Sequence, residues 1–171
     1  EVVGFETRML AVFAVDVAAG KDAEPLVVLL TTSDEVTRAA AGLLGSGEYK
    51  AGLGETAMLY APAEMKAERL LLVGLGKTKD LSLDKVRKGA GTAARAAKPR
   101  GIRAFAIALP DEKSLSDESL EELAPGLTAR AIVEGAVLGE PDWDTYRSDR
   151  KDSAVYELVV VGKTGGGDTF E

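Results

Sequence analysis

The sequence predicts an α/β fold of three layers, αβα, with helices on both faces of a mixed, mostly parallel sheet of about six strands. Three observations carry this expectation. Arg69 to Leu75 is a nearly unbroken apolar run ending around Gly74 and Gly76, as expected of a strand buried on both faces. Leu83, Val86, Ala90, Ala93, Ala94 and Ala97 then recur at helical spacing. Ile102 to Leu109 is a second apolar run. Strand, helix and strand within about 40 residues make a βαβ unit, which implies a parallel strand pair and a right-handed crossover.

The remaining elements follow in order. Arg8 to Val15 reads as a core strand and Leu26 to Leu30 as another, with a turn-rich connection over 16–25. With no helix between them, these two strands can pair antiparallel. Ser33 is a candidate N-cap, and Asp34 and Glu35 occupy the first turn, where the helix dipole favours negative charge. Val36, Ala39, Ala40, Leu43 and Leu44 form one apolar face, with Gly45 as the expected stop. Glu55 to Tyr60 is a short strand closed by Pro62. Ser82 is the N-cap expected for the crossover helix, and Pro99 and Gly101 end it. Asp117 to Leu123 reads as a short helix. A longer one runs from near Pro125, tolerated in a first turn, to Leu138, with Leu127, Ile132, Ala136 and Val137 inward. Val155 to Val161 is the last strand. The expected domain spans 1–162, and the glycine-rich 163–171 reads as a flexible tail or linker.

Composition excludes several chemistries. The 171 residues contain no Cys, His, Asn or Gln. Disulfides, thiolate metal sites and Ser-His-Asp or Cys-His catalysis are therefore impossible here, and any metal would have to be held by carboxylates. Net charge is −7, no apolar run approaches the ~20 residues of a membrane span, and no secretory signal is visible at the N-terminus. These features point to a cytoplasmic, acidic domain.

Several short stretches carry a family resemblance. Val73-Gly74-Leu75-Gly76-Lys77 is followed by a helix containing Gly89-Ala90-Gly91-Thr92-Ala93-Ala94-Arg95. Gly52-Leu53-Gly54-Glu55-Thr56 precedes them, and Ala131-Ile132-Val133-Glu134-Gly135-Ala136-Val137-Leu138-Gly139 comes after, ahead of Trp143-Asp144-Thr145-Tyr146-Arg147-Ser148. In this order they resemble the N-terminal domain of the leucyl aminopeptidase (cytosol aminopeptidase) family. The resemblance implies a macro-domain-like fold placed before a separate catalytic domain of the same chain. It also implies a homo-oligomeric parent, a hexamer in that family. That parent would remove N-terminal amino acids from peptides with two divalent ions (zinc, manganese or magnesium). The family's metal-binding Asn-Thr-Asp-Ala-Glu-Gly-Arg signature cannot occur in a chain without Asn. The resemblance therefore transfers no catalytic, cofactor-binding or metal-ligating residue to this chain. It implies instead an accessory domain, assisting assembly or access, whose natural chain continues past Glu171.

The remaining motifs are weak. Gly76-Lys77-Thr78 ends like a P-loop, but Leu71 stands where its first glycine belongs; Gly162-Lys163-Thr164 fails likewise at Glu157. A dinucleotide fingerprint fails at Lys79. Asp142, Asp144, Asp149 and Asp152 are interspersed with Arg147, Arg150 and Lys151, the pattern of a solvated, self-neutralising loop. Lys85, Arg87, Lys88, Arg95, Lys98, Arg100 and Arg103 occur without an intervening acid. They read as the solvated face of the crossover helix, with a docking strip as the other option. The alternatives to the accessory domain are a macro-type module for an ADP-ribose-like ligand and a nucleic-acid-binding or structural α/β domain. The net negative charge disfavours DNA.

Overall fold

The computed structural model describes residues 6–17, 26–111, 123–139 and 157–162. Strand β1 (Leu10–Val17) lies at the centre, because its side chains are apolar on both faces and only a covered strand can keep them from water. Around it are β2 (Leu26–Leu29), β3 (Thr56–Tyr60), β4 (Arg69–Lys77), β5 (Ala104–Ala108) and β6 (Glu157–Val161). The sheet order is β3-β4-β1-β5-β6, with β2 added alongside β1. The β1–β4, β1–β5 and β5–β6 pairs are parallel, and the β1–β2 and β3–β4 pairs antiparallel.

One side of β1 serves two partners. Leu10 and Ala11 pair with Ala106 and Ile107 of β5, while Ala14 to Val17 pair with Leu29 to Leu26 of β2. The expected antiparallel pairing of the first two strands is therefore present. The expected β4–β5 pair is not, because β1 lies between the two strands. They remain parallel, and the crossover helix α2 (Leu83–Ala97) passes over β1 to connect them.

Two cores fill the three layers. Met9, Ala11, Phe13 and Val15, with Leu71, Val73, Leu75, Phe105 and Ile107, face α2 and α3 (Pro125–Leu138). Leu10, Val12, Ala14, Leu70, Leu72, Ala106 and Ala108 face the other way, toward α1 (Asp34–Ser46). Each large aliphatic side chain buried in this way is worth about 1.5–3 kcal/mol. That alternation, multiplied along β1 and β4, pins the register, since a one-residue slip would exchange the two cores.

The helix ends show where local signals suffice. Ser33 caps α1 as expected, its hydroxyl accepting from the Val36 amide at 3.4 Å. The helix runs past Gly45 to Ser46 and stops at Gly47, whose φ of 69° is the left-handed conformation that glycine adopts without a Cβ clash. Ser82 is extended at the start of α2 but its side chain makes no capping bond. The α3 boundaries match expectation, with Ile132 and Ala136 buried; Leu127 and Val137 are instead exposed. The expected short helix at 117–123 and the tail at 163–171 fall outside the described residues, Leu123 excepted. Among the described residues, no helix is long and apolar enough to cross a membrane.

Candidate functional site

In an open α/β sheet, ligands bind beyond the carboxyl ends of the strands, so the loop leaving β4 is the first place to look. Its glycines are already occupied. Gly74 N–H donates to the Glu55 carbonyl (2.8 Å), Gly76 N–H to the Ala51 carbonyl (2.9 Å), and Gly54 N–H to the Gly74 carbonyl (2.9 Å). A Cβ on Gly74 would stand 2.1 Å from the Gly52 oxygen, so only glycine admits the 51–54 backbone this close. Gly52-Leu53-Gly54-Glu55 and Gly74-Leu75-Gly76 are thus two halves of one contact. The amides that a phosphate cradle would use are donated into the protein. Thr78, the last member of the P-loop-like triplet, is buried and donates its hydroxyl to the Asp16 carbonyl (3.1 Å).

Glu55, read from sequence as the start of a strand and as part of the Gly52–Thr56 stretch, organises this contact. Its carboxylate accepts from the Gly52 amide (2.8 Å) and the Lys50 amide (3.3 Å), closing the loop on itself. Burial, and secondarily the Glu55 charge, push the pKa of the neighbouring Tyr49 phenol well above its usual value, so it stays neutral.

A second glycine contact joins α2 to α3. Gly91 of α2 faces Gly135 of α3 and Gly139 just beyond it, and a Cβ on Gly135 would lie 2.0 Å from the Arg87 carbonyl oxygen. Gly89 does the same toward the sheet, its Cβ position falling 2.5 Å from Leu75 and 2.9 Å from Phe13. Small residues let helices approach backbone to backbone, which accounts for the alanine- and glycine-rich sequence of α2. The inward stripe of α3 is correspondingly mostly small, Thr128, Ala131, Gly135 and Ala136, with Ile132 as its large member.

The basic residues of α2 divide. Arg87 donates to Glu134 of α3 from two nitrogens (2.9 and 3.2 Å), and Arg130 donates to the other Glu134 oxygen (2.7 Å). Asp84, in the first turn, pairs with Lys88 at 2.8 Å and Arg87 at 3.7 Å, and Asp80 lies 3.9 Å from Lys85. The N-terminal half of the expected strip is therefore neutralised, by Glu134 across the α2–α3 seam and locally by Asp80 and Asp84. Asp84 adjoins the strip in sequence; Glu134 does not, and no local pattern reveals it.

The hydrogen bonds from Arg130 and Arg87 hold the Glu134 carboxyl below its ordinary pKa of 4.5. A folded-state pKa below the unfolded one adds stability above the unfolded value and loses it as pH falls through the lowered value. Glu134→Gln should therefore melt below the parent at neutral pH, with the gap closing as pH drops below 4.5. Thermal melts of both proteins across that range would show it; a gap constant with pH would contradict the assignment.

Two shallow clefts lie at the amino end of the strands. One, of about 180 Å³, is lined by Glu6, Arg8, Phe105 and Glu157, and the other, of about 400 Å³, by Glu6, Arg8, Lys66 and Glu68. Both mix charge signs, and neither lies where α/β sheets bind ligands. The aspartates 142, 144, 149 and 152 fall outside the described residues. Among the described residues, no three acidic side chains come together, and the chain has no His or Cys to complete a set. No side-chain set among the described residues fits a two-metal centre.

A family model for the N-terminal domain of the cytosol aminopeptidase family matches residues 11–150. A probable cytosol aminopeptidase from Acidobacterium capsulatum is 40% identical over 162 residues, covering 91% of this chain and 30% of its relative. A tomato leucine aminopeptidase variant superposes with a TM-score of 0.64 at 24% identity, over 98% of this chain and 32% of the other. The macrodomain of Mycobacterium tuberculosis DarG gives 0.57 at 10% identity, over 94% of this chain and 91% of the other, a likeness of fold alone. The chain thus spans about a third of the length of the aminopeptidases it matches. The motifs that meet in space at Gly74 and at Gly135 are among those that carry the resemblance, and the chain belongs to the cytosol aminopeptidase family as its N-terminal domain.

Proposed function

We propose that this domain is the non-catalytic N-terminal part of a metal-dependent, cytoplasmic aminopeptidase. The parent removes N-terminal amino acids from peptides by metal-assisted hydrolysis, and this domain assists its assembly or access to its active site. The observation that carries the reading is the family match over residues 11–150, whose glycine motifs in this chain serve packing. The parent's two divalent ions belong to the catalytic part of the same chain. Its oligomer, a hexamer on the family's pattern, and its peptide substrates belong to the whole protein.

The purified 171-residue chain should show no hydrolysis of leucine amide or leucyl dipeptides with added manganese, zinc or magnesium, because it has no His or Cys and, among the described residues, no acidic cluster to activate water. Metal-dependent turnover that disappears when the chain's own carboxylates are mutated would overturn the proposal. The macro-like fold supports a second reading, a module for an ADP-ribose-like ligand. Against it stand the Gly74 and Gly76 amides, which already have acceptors. Calorimetry with ADP-ribose should accordingly give no binding heat, whereas a micromolar site would put this second reading first.

A further inference from the structure

Helix α3 is apolar nearly all round. Behind its buried stripe, the opposite arc carries Leu127, Val133, Val137 and Leu138 at 52, 47, 65 and 67% exposure. A helix with large apolar residues on its outer arc as well as its buried one, interrupted by Arg130 and Glu134, is suited to cover on both sides, yet this one is covered on one side only. By contrast, α1 and α2 place charged or small residues outward. We infer that the outer face of α3 docks against the catalytic part of the same aminopeptidase chain, an inference that rests on the function proposed above.

Three observations favour that occupant. The chain corresponds to only 30% of its Acidobacterium relative, so most of such a protein lies outside it. The four side chains expose roughly 400 Å² of apolar area, the size of a functional patch on a small protein. A stable complex between separate molecules usually buries about 800 Å² on each partner, so this patch is small for a second copy. A tethered partner needs less, because the link sets an effective concentration in the millimolar range. The charges within the face are also already matched. Arg130 and Glu134 are paired with each other, and Glu134 with Arg87, so covering them strands no lone charge.

The absence of cysteine from these 171 residues provides a clean probe. Val137→Cys should react with a maleimide at the rate of an open thiol in the 171-residue chain. In the full-length protein from the source reading frame, peptide mapping should show labelling at this position slowed by about tenfold or more, the protection expected when only local opening exposes a site. Arg38→Cys on α1, exposed and on the other face of the sheet, should label alike in both. Equal labelling of position 137 in the two proteins would overturn the docking surface while leaving the family reading intact. Slow labelling already in the 171-residue chain would also overturn it, assigning the cover to a second copy if the rate depends on concentration. A reading frame that stops at Glu171 would instead remove the proposed function on which this inference rests.

Discussion

Alanine at Gly135 is expected to separate the two helices on one face of the sheet and cost the domain about 3 kcal/mol or more. The added methyl carbon would sit 2.0 Å from the Arg87 carbonyl oxygen and 2.7 Å from its carbon. Both are backbone atoms, so no rotamer change relieves the contact and α3 must move away from α2. The favourable helix propensity of alanine, about 1 kcal/mol over glycine, is too small to offset this. For a domain of this size the thermal midpoint should fall by roughly 6–12 °C. The same substitution at Gly45, in α1 with nothing within 4 Å of the new carbon, should do the reverse. There only propensity and unfolded-state entropy act, and stability should rise by about 0.5–1 kcal/mol. Parallel melts of the two variants make the comparison. If Gly135→Ala were no less stable than the parent, the backbone-contact account of the helix pair would be wrong.

The other large effect is expected at Gly74. Alanine there would meet the Gly52 oxygen at 2.1 Å and the Ala51 carbon at 2.5 Å, forcing the 51–54 loop off β4. Three backbone hydrogen bonds depend on that loop, from Gly54, Gly74 and Gly76. The combined loss of contact and pairing should destabilise by about 2–4 kcal/mol. A second readout is local. With the loop lifted and the amides of Lys50 and Gly52 no longer held by Glu55, trypsin should cut after Lys50 much faster than in the parent. Unchanged cleavage together with unchanged denaturant midpoint would show that the loop does not need this glycine.

Most of the architecture was legible because its signals are local and repeated. The runs around β1, β4 and β5 are apolar at consecutive positions, which marks strands covered on both faces. The start of α3 follows from Pro125, tolerated in the first turn of the helix. Its rotation about its own axis did not, for a physical reason: apolar residues surround the helix, so periodicity has no preferred phase. The buried side is chosen by Gly135 and Ala131, whose small size permits close approach, while the larger Leu127 and Val137 are left outside. The strand pairing was ambiguous in the same way. A strand-helix-strand pattern shows that β4 and β5 run parallel, but not that β1 lies between them. The Gly45 stop failed because a glycine inside a helix and one ending it differ only in φ, and the left-handed value belongs to Gly47. At the candidate site, the incomplete P-loop pattern was readable from Leu71, whereas the destination of the Gly74 and Gly76 amides required the fold. Glu134 was invisible as the partner of Arg87 because 47 residues separate them.

The double pairing along one side of β1 has a kinetic consequence. The strand is made before its parallel partners, yet Leu10 pairs with Leu70 on one side and Ala106 on the other. Only β2 is available soon after it is made, and that hairpin covers only the carboxyl half of β1. At about 5–20 residues per second, the wait for β5 is on the order of five to twenty seconds. Until β4 is made Leu10, Val12 and Phe13 have no parallel partner, and the edge that Leu10 and Ala11 offer to β5 stays open for the full interval. The nascent chain therefore presents the amino half of an apolar strand as a binding site for chaperones until synthesis has passed the crossover helix.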